Sequence, residues 1–315
     1  MRIVIVGGGA IGRLFGSFLI RGGNEIILID IDHDTLGALQ EKGIGLLEDE
    51  GEHPDNAESF PVQALNSAES IRTADFILLL VKSQATKAAV QDIAHLVSDT
   101  CPLLSIQTGL GNLEIAREVI PEKNILLGIT YMSGTALSDG RVRKGSQSIT
   151  YIGELDGSFS ERLEIVNRVF NSCGLETRMV KRIIARLWSK VIIYAAINPV
   201  SAILQVPNGS LVSRTESISL MKRLLDEGLT VAAAEKVELV HPDLYELLFE
   251  TCEKSAGNLS SMLQDVLNEV GTEIDAQNGA ICRYAEAHAL LVPTHRTILE
   301  LIKLLECWKP GVGQA

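Results

Sequence analysis

Residues 3–12 read IVIVGGGAIG, and this stretch decides the fold. Ile3 to Val6 is an uninterrupted apolar run of the kind buried on both faces of a parallel sheet. Gly7, Gly9 and Gly12 follow in G-x-G-x-x-G spacing, ahead of a helical pattern through Phe18 and Leu19. The first glycine allows a tight turn, the second lets a pyrophosphate approach the backbone, and the third lets helix and strand pack closely. The free N–H groups at the helix N-terminus then attract the phosphates. Gly7, Gly9, Ala10, Ile11 and Gly12 are therefore candidate cofactor-binding residues. Glycine-rich turns also arise for conformational reasons alone, so the neighbouring sequence has to supply the context.

It does so in order. After Gly22-Gly23 comes a second strand, EIILID, ending at Asp30, eighteen positions beyond Gly12. A carboxylate there accepts hydrogen bonds from the adenosine ribose and repels a 2′-phosphate, and no arginine follows it immediately. Asp30 thus favours NADH, with NADPH left open; its competing role is a turn former, with Asp32 or Asp34 capping the next helix. The run FILLLV, residues 76–81, is a further buried strand and ends in Lys82. Ligands of open α/β sheets bind at the carboxyl ends of strands, so Lys82 shares a rim with Gly7 and Asp30 unless it is only a solvated lysine. A helix over 86–97 leads to the strand LLSI and the turn QTGLG, residues 107–111, which brings Thr108 to the same rim. Strands near 125–129, 141–142 and 149–152, a helix over 161–173 and a strand over 176–180 complete the layer, and Gly134 to Gly145 reads as an exposed hairpin or loop.

From Arg182 onward only helical periodicity remains. The fold class is α/β: an N-terminal Rossmann-like doubly wound sheet over residues 1–181, with a second, all-helical C-terminal domain over 182–315. In the second domain helices are expected over 216–236, 242–254, 259–270, 273–288 and 294–307. Pro242 and Pro293 suit helix starts, Thr294 suits an N-cap, and the tail after Pro310 suits a frayed end.

With 46% hydrophobic, 22% charged and 4% aromatic residues, the chain has the aliphatic core of an ordinary globular protein. A formal charge of −12 argues against nucleic acid and anionic membrane as partners. The five cysteines form no C-x-x-C pair, so no metal or redox centre is expected and reduced filler is their reading. The N-terminus runs straight into a strand, and Asn198-Pro199 breaks the longest apolar run before it spans a bilayer, which gives a cytoplasmic expectation. The aliphatic helices of the second half leave room for a homodimer contact.

That apolar run, RLWSKVIIYAAINPVSAILQVPNG over 186–209, carries the chemistry. Lys190, Tyr194 and Asn198 recur every four residues, each step advancing about forty degrees, so they form one polar stripe on a buried helix. Lys190 either snorkels to water along its stem or is a desolvated ammonium suited to donate a proton to a substrate oxygen. Two more polar clusters, 258–265 and 272–279, admit capping: Ser260 or Ser261 for a helix from Met262, and Thr272 with Asp275 for the next. Glu273 in a first turn also suits the helix dipole.

Together these motifs resemble the ketopantoate reductase family over nearly the whole chain. The resemblance rests on Gly7-x-Gly9-x-x-Gly12, Val81-Lys82, the turn at Gln107, Leu187-Trp188-x-Lys190, Ile197-Asn198-Pro199, Pro207-Asn208-Gly209, SSMLQD from Ser260, and TEIDxxNG from Thr272. It implies that Lys190 is the general acid and that Glu273 supports it. It further implies that Asn198, Asn208, Asn258 and Ser261 hold the substrate, and that Lys82 lies near the cofactor. The expected reaction is NAD(P)H-dependent reduction of a 2-keto acid, 2-dehydropantoate to D-pantoate in the named case, with this small molecule as partner.

Two positions depart from the family pattern. Tyr194 stands where an asparagine is usual, and Thr108 stands where the family usually has the asparagine of Q-N-G or H-N-G; both face the expected substrate. Tyrosine offers only a hydroxyl and fills more space, which opens the alternative of an NAD-dependent D-2-hydroxyacid dehydrogenase with another substrate. A non-catalytic nucleotide-binding sensor is the alternative of a different class; Lys190 and Glu273 together speak against it.

Overall fold

The computed structural model describes residues 1–48, 57–145 and 148–307, so the tail expected to fray after Pro310 lies outside the described residues. The chain divides into two units, one of residues 1–107 with 112–184 and one of residues 108–111 with 185–315.

The first unit contains β1 (Arg2–Val6), α1 (Ala10–Arg21), β2 (Glu25–Ile29), α2 (His33–Lys42), β3 (Ile44–Leu47), β4 (Glu58–Phe60), β5 (Gln63–Leu65) and β6 (Phe76–Leu79). It continues with α3 (Thr86–Ile93), β7 (Leu103–Ser105), α4 (Asn112–Arg117), β8 (Ile125–Thr130), β9 (Gly134–Ala136), β10 (Arg141–Lys144), β11 (Thr150–Glu154), α5 (Glu161–Ser172) and β12 (Thr177–Met179). Eight strands form one sheet in the order β12-β11-β8-β7-β6-β1-β2-β5. Every pair is parallel except β8 with β11. The strand order reverses between β1 and β6, which puts the ligand crevice of a doubly wound sheet beyond Val6 and Leu79. Phe15, Phe76 and Phe170 meet edge to face in the core beneath it.

The expected exposed segment near Gly134 is the hairpin β9–β10, and it joins a second sheet, β4-β3-β10-β9, that the sequence pattern did not announce. Its strands are three or four residues long, too short for a period-two alternation to register.

The second unit contains α6 (Ile183–Leu204, beginning two residues inside the first unit), α7 (Asn208–Leu211), α8 (Thr215–Ala234), α9 (Leu244–Lys254), α10 (Ser261–Leu267), α11 (Asn278–Ala287) and α12 (Pro293–Cys307). Four expectations need correction here. First, α6 is not broken at Asn198-Pro199 but runs through Pro199 for 22 residues; by length and composition it is a helix that could cross a membrane, and most of it is buried within the protein. A proline leaves the carbonyl four residues earlier without its N–H, and that carbonyl, Ala195 O, instead accepts Nδ2 of Asn278 at 3.0 Å. Second, the single helix expected over 273–288 is a 3-10 turn, Ile274–Ala276, followed by Gln277 at φ −105, ψ −95 and only then α11. Third, Thr294 is not an N-cap: the Glu227 carboxylate accepts from both Thr294 N (2.9 Å) and His295 N (3.0 Å) and caps α12 from a distant part of the chain. Pro242 likewise precedes α9 rather than opening it; Asp243 is the cap, accepting from Tyr245 N and Glu246 N.

Candidate functional site

In the first unit the glycine turn is built by close approach. Gly7 has φ +113, and a Cβ there would sit 2.7 Å from the carbonyl carbon of Leu80; a Cβ on Gly12 would fall 1.8 Å from the Gly7 oxygen. Gly9 is different. It is exposed, precedes α1, and a Cβ there would meet nothing within 4 Å, so open space lies ahead of the N–H groups of a twelve-residue helix. A pyrophosphate fits that space and that donor set.

Asp30 stands against the same turn. Its Oδ2 accepts from Gly8 N at 2.5 Å and its Oδ1 from Asp32 N at 2.9 Å, while the capping role passes to Asp32, which accepts from Thr35 N at 2.8 Å. Asp30 therefore both ends its strand as a turn former and carries a carboxylate beside the glycine loop. Lys82 is exposed and precedes a short 3-10 turn, Ser83–Ala85. Behind it, Gln107 donates to Val81 O at 3.0 Å and to Thr86 Oγ1 at 2.7 Å, and Thr86 donates in turn to Asn112 Oδ1 at 2.9 Å.

One residue of this unit escaped the sequence reading. Arg13 is buried in α1, where its Nε donates to Gly8 O (2.7 Å), Nη1 to Leu137 O (2.6 Å) and Arg141 O (3.1 Å), and Nη2 to Thr35 Oγ1 (3.2 Å). Burial lowers the pKa of its guanidinium, opposed by Asp30, Asp139 and Asp32. An arginine one place after the third glycine carries no periodic signal that would have revealed this fastening.

In the second unit, Lys190 and Tyr194 are partly buried on α6, and the Lys190 ammonium lies 5.3 Å from the centroid of the Tyr194 ring. Burial pushes Lys190 down to about 8, while the facing Glu273 carboxylate pulls the other way. Burial raises the Tyr194 phenol, with Cys252 a smaller cause in the same direction.

Asn198 is 2% exposed; its Nδ2 donates to Gln277 Oε1 at 3.2 Å and its carbonyl accepts from Ser260 Oγ at 3.3 Å. Asn208 opens α7, donating from Nδ2 to Ser255 Oγ at 2.9 Å and from its backbone N to Asn258 O at 3.0 Å, and its buried Oδ1 has no hydrogen-bond partner among the described residues. The Asn258 side chain is exposed. Of the two serines, Ser260 caps α10 by accepting from Leu263 N at 3.1 Å, which leaves Ser261 exposed at the first helical position.

The turn Thr108–Gly111 clusters with this second unit. Leu110 N donates to Ala276 O at 2.8 Å, and Gly109, at φ +97, presses so closely that a Cβ would lie 2.5 Å from Cβ of Ala276. Thr108 is thereby carried to the segment that bears Glu273. Gln277, an unspecified position of the TEIDxxNG motif, and Asn278, its asparagine, were not recognised as partners of α6; a buried amide pair next to a helical proline is the signal that finds them.

The family described as Ketopantoate reductase PanE/ApbA matches residues 3–157, and its C-terminal counterpart matches residues 182–306. A 2-dehydropantoate 2-reductase of Pyrococcus abyssi is 33% identical over 307 residues, covering 96% of this chain and 97% of that protein. Among solved structures, a D-mandelate dehydrogenase with NADH and anilino(oxo)acetate superposes with a TM-score of 0.89 at 25% identity, covering 98% of this chain and 99% of that one. A PanE/ApbA family ketopantoate reductase from Ralstonia eutropha JMP134 gives 0.87 at 27% identity, with the same coverage.

Proposed function

The chain belongs to the ketopantoate reductase family, and from that premise we propose that it reduces a 2-keto acid to the 2-hydroxy acid with a nicotinamide cofactor, 2-dehydropantoate to D-pantoate being the leading pair. The observation that supports this reading is that burial lowers Lys190 to about 8 against the pull of the Glu273 carboxylate, which suits a proton donor with a supporting carboxylate.

A reduced nicotinamide supplies the hydride when bound. Gly7, Gly9, Ala10, Ile11 and Gly12 would hold its pyrophosphate through backbone N–H groups, and Asp30 its adenosine ribose. The Asp30 charge beside Gly8 disfavours a 2′-phosphate and supports a preference for NADH; Lys82 and Thr108 are further cofactor contacts in this reading.

As two electrons arrive at the keto carbon, negative charge grows on its oxygen. Lys190 Nζ stabilises that charge and delivers its proton to the oxygen, leaving the 2-hydroxy acid and a neutral amine that solvent reprotonates. With a pKa of about 8, roughly nine-tenths of Lys190 is charged at pH 7, and the proton is held less tightly than in water. Glu273 keeps the ammonium charged and aimed. Asn198, Asn208 through its unpartnered Oδ1, Asn258 and Ser261 bind the substrate carboxylate and hydroxyl.

A second reading is favoured by one observation. The Tyr194 ring lies under the Lys190 ammonium, where the family pattern has an amide, and an aromatic wall suits a 2-keto acid with an apolar or aromatic side chain. The two readings separate when purified protein is assayed with 2-dehydropantoate and with branched and aromatic 2-keto acids, each with NADH and NADPH. A kcat/KM highest for 2-dehydropantoate supports the first, and one highest for an aromatic acid supports the second. Oxidation of neither cofactor with any acid overturns both and leaves a nucleotide-binding sensor. A clear preference for NADPH overturns the role given to Asp30.

A further inference from the structure

We propose that Gln277 and Asn278 are a positioning pair for the substrate-binding asparagine of α6: Gln277 holds the Asn198 amide, and Asn278 closes the hydrogen-bond gap that Pro199 opens one residue later. The inference rests on the assignment of Asn198 as a substrate contact.

Pro199 costs α6 one backbone hydrogen bond and leaves Ala195 O, in the helix interior, needing a donor. Asn278 supplies it with one N–H of Nδ2 at 3.0 Å. The other N–H of Nδ2 meets His295 Nδ1 at 3.0 Å, and His295 Nε2 donates to Leu224 O at 2.9 Å. Both N–H groups are thus spent, while Oδ1 is buried and has no partner among the described residues, so the amide has one satisfactory orientation. A flipped amide would set Oδ1 against Ala195 O. The anchor at the far end of this chain, His295, has its own backbone N–H held by Glu227.

Gln277 precedes Asn278 and is 1% exposed, in a backbone conformation (φ −105, ψ −95) belonging to neither the turn before it nor the helix after it. That break in the helix aims the two successive side chains at successive points of α6, the Asn198 amide and the gap beneath Pro199. Because Asn198 directly precedes the proline, a shift of the helix at Pro199 would move its amide and change its grip on substrate. The pair is also adjacent in sequence to the turn that bears Glu273, so α6 and the supporting carboxylate share one anchor.

Two double-mutant cycles test this. In the first, Gln277→Leu keeps the volume and removes the acceptor; it is expected to raise KM for the keto acid about tenfold, a loss typical of one buried hydrogen bond, with kcat little changed and cofactor affinity unaltered. In an Asn198→Ala background the same substitution is expected to leave KM unchanged. Equal effects in both backgrounds overturn the role of Gln277, whereas an Asn198→Ala protein with normal KM overturns the assignment of Asn198 itself. In the second cycle, Asn278→Ala lowers the melting temperature and raises KM, and adding Pro199→Ala, which returns an N–H to Ala195 O, recovers most of both. No coupling between positions 199 and 278 in either measurement overturns the role of Asn278, and the thermal readout decides this even for a variant without activity.

Discussion

The ammonium of Lys190 lies 5.3 Å from the ring centroid of Tyr194, one turn further along α6, and is acted on by the charge of the Glu273 carboxylate. Burial, ring and carboxylate act on one proton: burial favours the neutral amine, and the ring face and the carboxylate favour the ammonium. Burial prevails, and the pKa falls to about 8.

This balance predicts the alkaline limb of the pH profile. Lys190 must be charged to donate, so kcat falls as pH rises through about 8 and is retained below it. Glu273→Gln removes the one carboxylate raising that value, so the limb moves to lower pH. Lys190→Ala abolishes the limb and lowers kcat roughly a hundredfold or more. Steady-state kcat from pH 6 to 10 for the three proteins checks this; a limb unmoved by Glu273→Gln separates Glu273 from the lysine, and near-normal turnover of Lys190→Ala removes the acid role.

Tyr194 is expected to set the substrate. Tyr194→Asn exchanges an aromatic wall for an amide and shifts the ratio of kcat/KM toward 2-dehydropantoate and away from aromatic 2-keto acids by roughly tenfold, the scale of one pocket contact. Tyr194→Phe keeps the ring under the ammonium and leaves the ranking nearly unchanged. An unchanged ranking in Tyr194→Asn means that the ring faces no substrate.

What the sequence made legible follows from what repeats. The G-x-G-x-x-G turn and the uniformly apolar strands 3–6 and 76–79 have strong local signals, and the parallel sheet was readable from them. Lys190 stood out through the four-residue polar stripe of its helix and Glu273 through the family resemblance, and the Glu273 charge acts on the Lys190 ammonium. Features that depend on long-range partners were not: Glu227 displaces Thr294 as cap of α12, Arg13 fastens the glycine turn to the β9–β10 hairpin, and Asn278 repairs a helix that proline was expected to break. In each case the deciding partner is 67 or more residues away, beyond any periodic window.

Glu306 is expected to steady Glu273 from the C-terminal helix. Its Oε1 accepts from Thr272 N at 2.8 Å and from Thr272 Oγ1 at 2.7 Å, and Lys303 pairs with Asp275 on the other side of Glu273. Glu306→Ala frees one flank of that turn, so kcat falls about tenfold and the alkaline limb moves down as in Glu273→Gln, to a smaller extent. Glu306→Gln keeps an acceptor for both Thr272 donors and retains most of the activity. An alanine variant that melts lower but keeps the wild-type limb assigns Glu306 to stability alone.

His295 makes the fold sensitive to acid. It is fully buried, its Nδ1 facing Nδ2 of Asn278 and its Nε2 donating to Leu224 O, and burial depresses its pKa to about 4 against the opposing pull of the Leu224 bond and Glu227. The unfolded chain titrates near the ordinary value of about 6.5. Above that pH both states are neutral at this residue and it adds no pH dependence. Between about 6.5 and 4 the unfolded chain binds a proton that the folded one refuses, so stability declines as pH falls, by a total on the order of 3 kcal/mol once pH is below both values. Protonation of the native ring would also set an Nδ1–H against the amide donor of Asn278, loosening its link to Ala195 O beneath Pro199. Urea unfolding at pH 7.5 and pH 5 is expected to show this decline in the wild-type chain and a smaller one in His295→Gln, whose amide offers an acceptor and a donor without titrating. Parallel losses in the two proteins would assign the acid sensitivity to other groups.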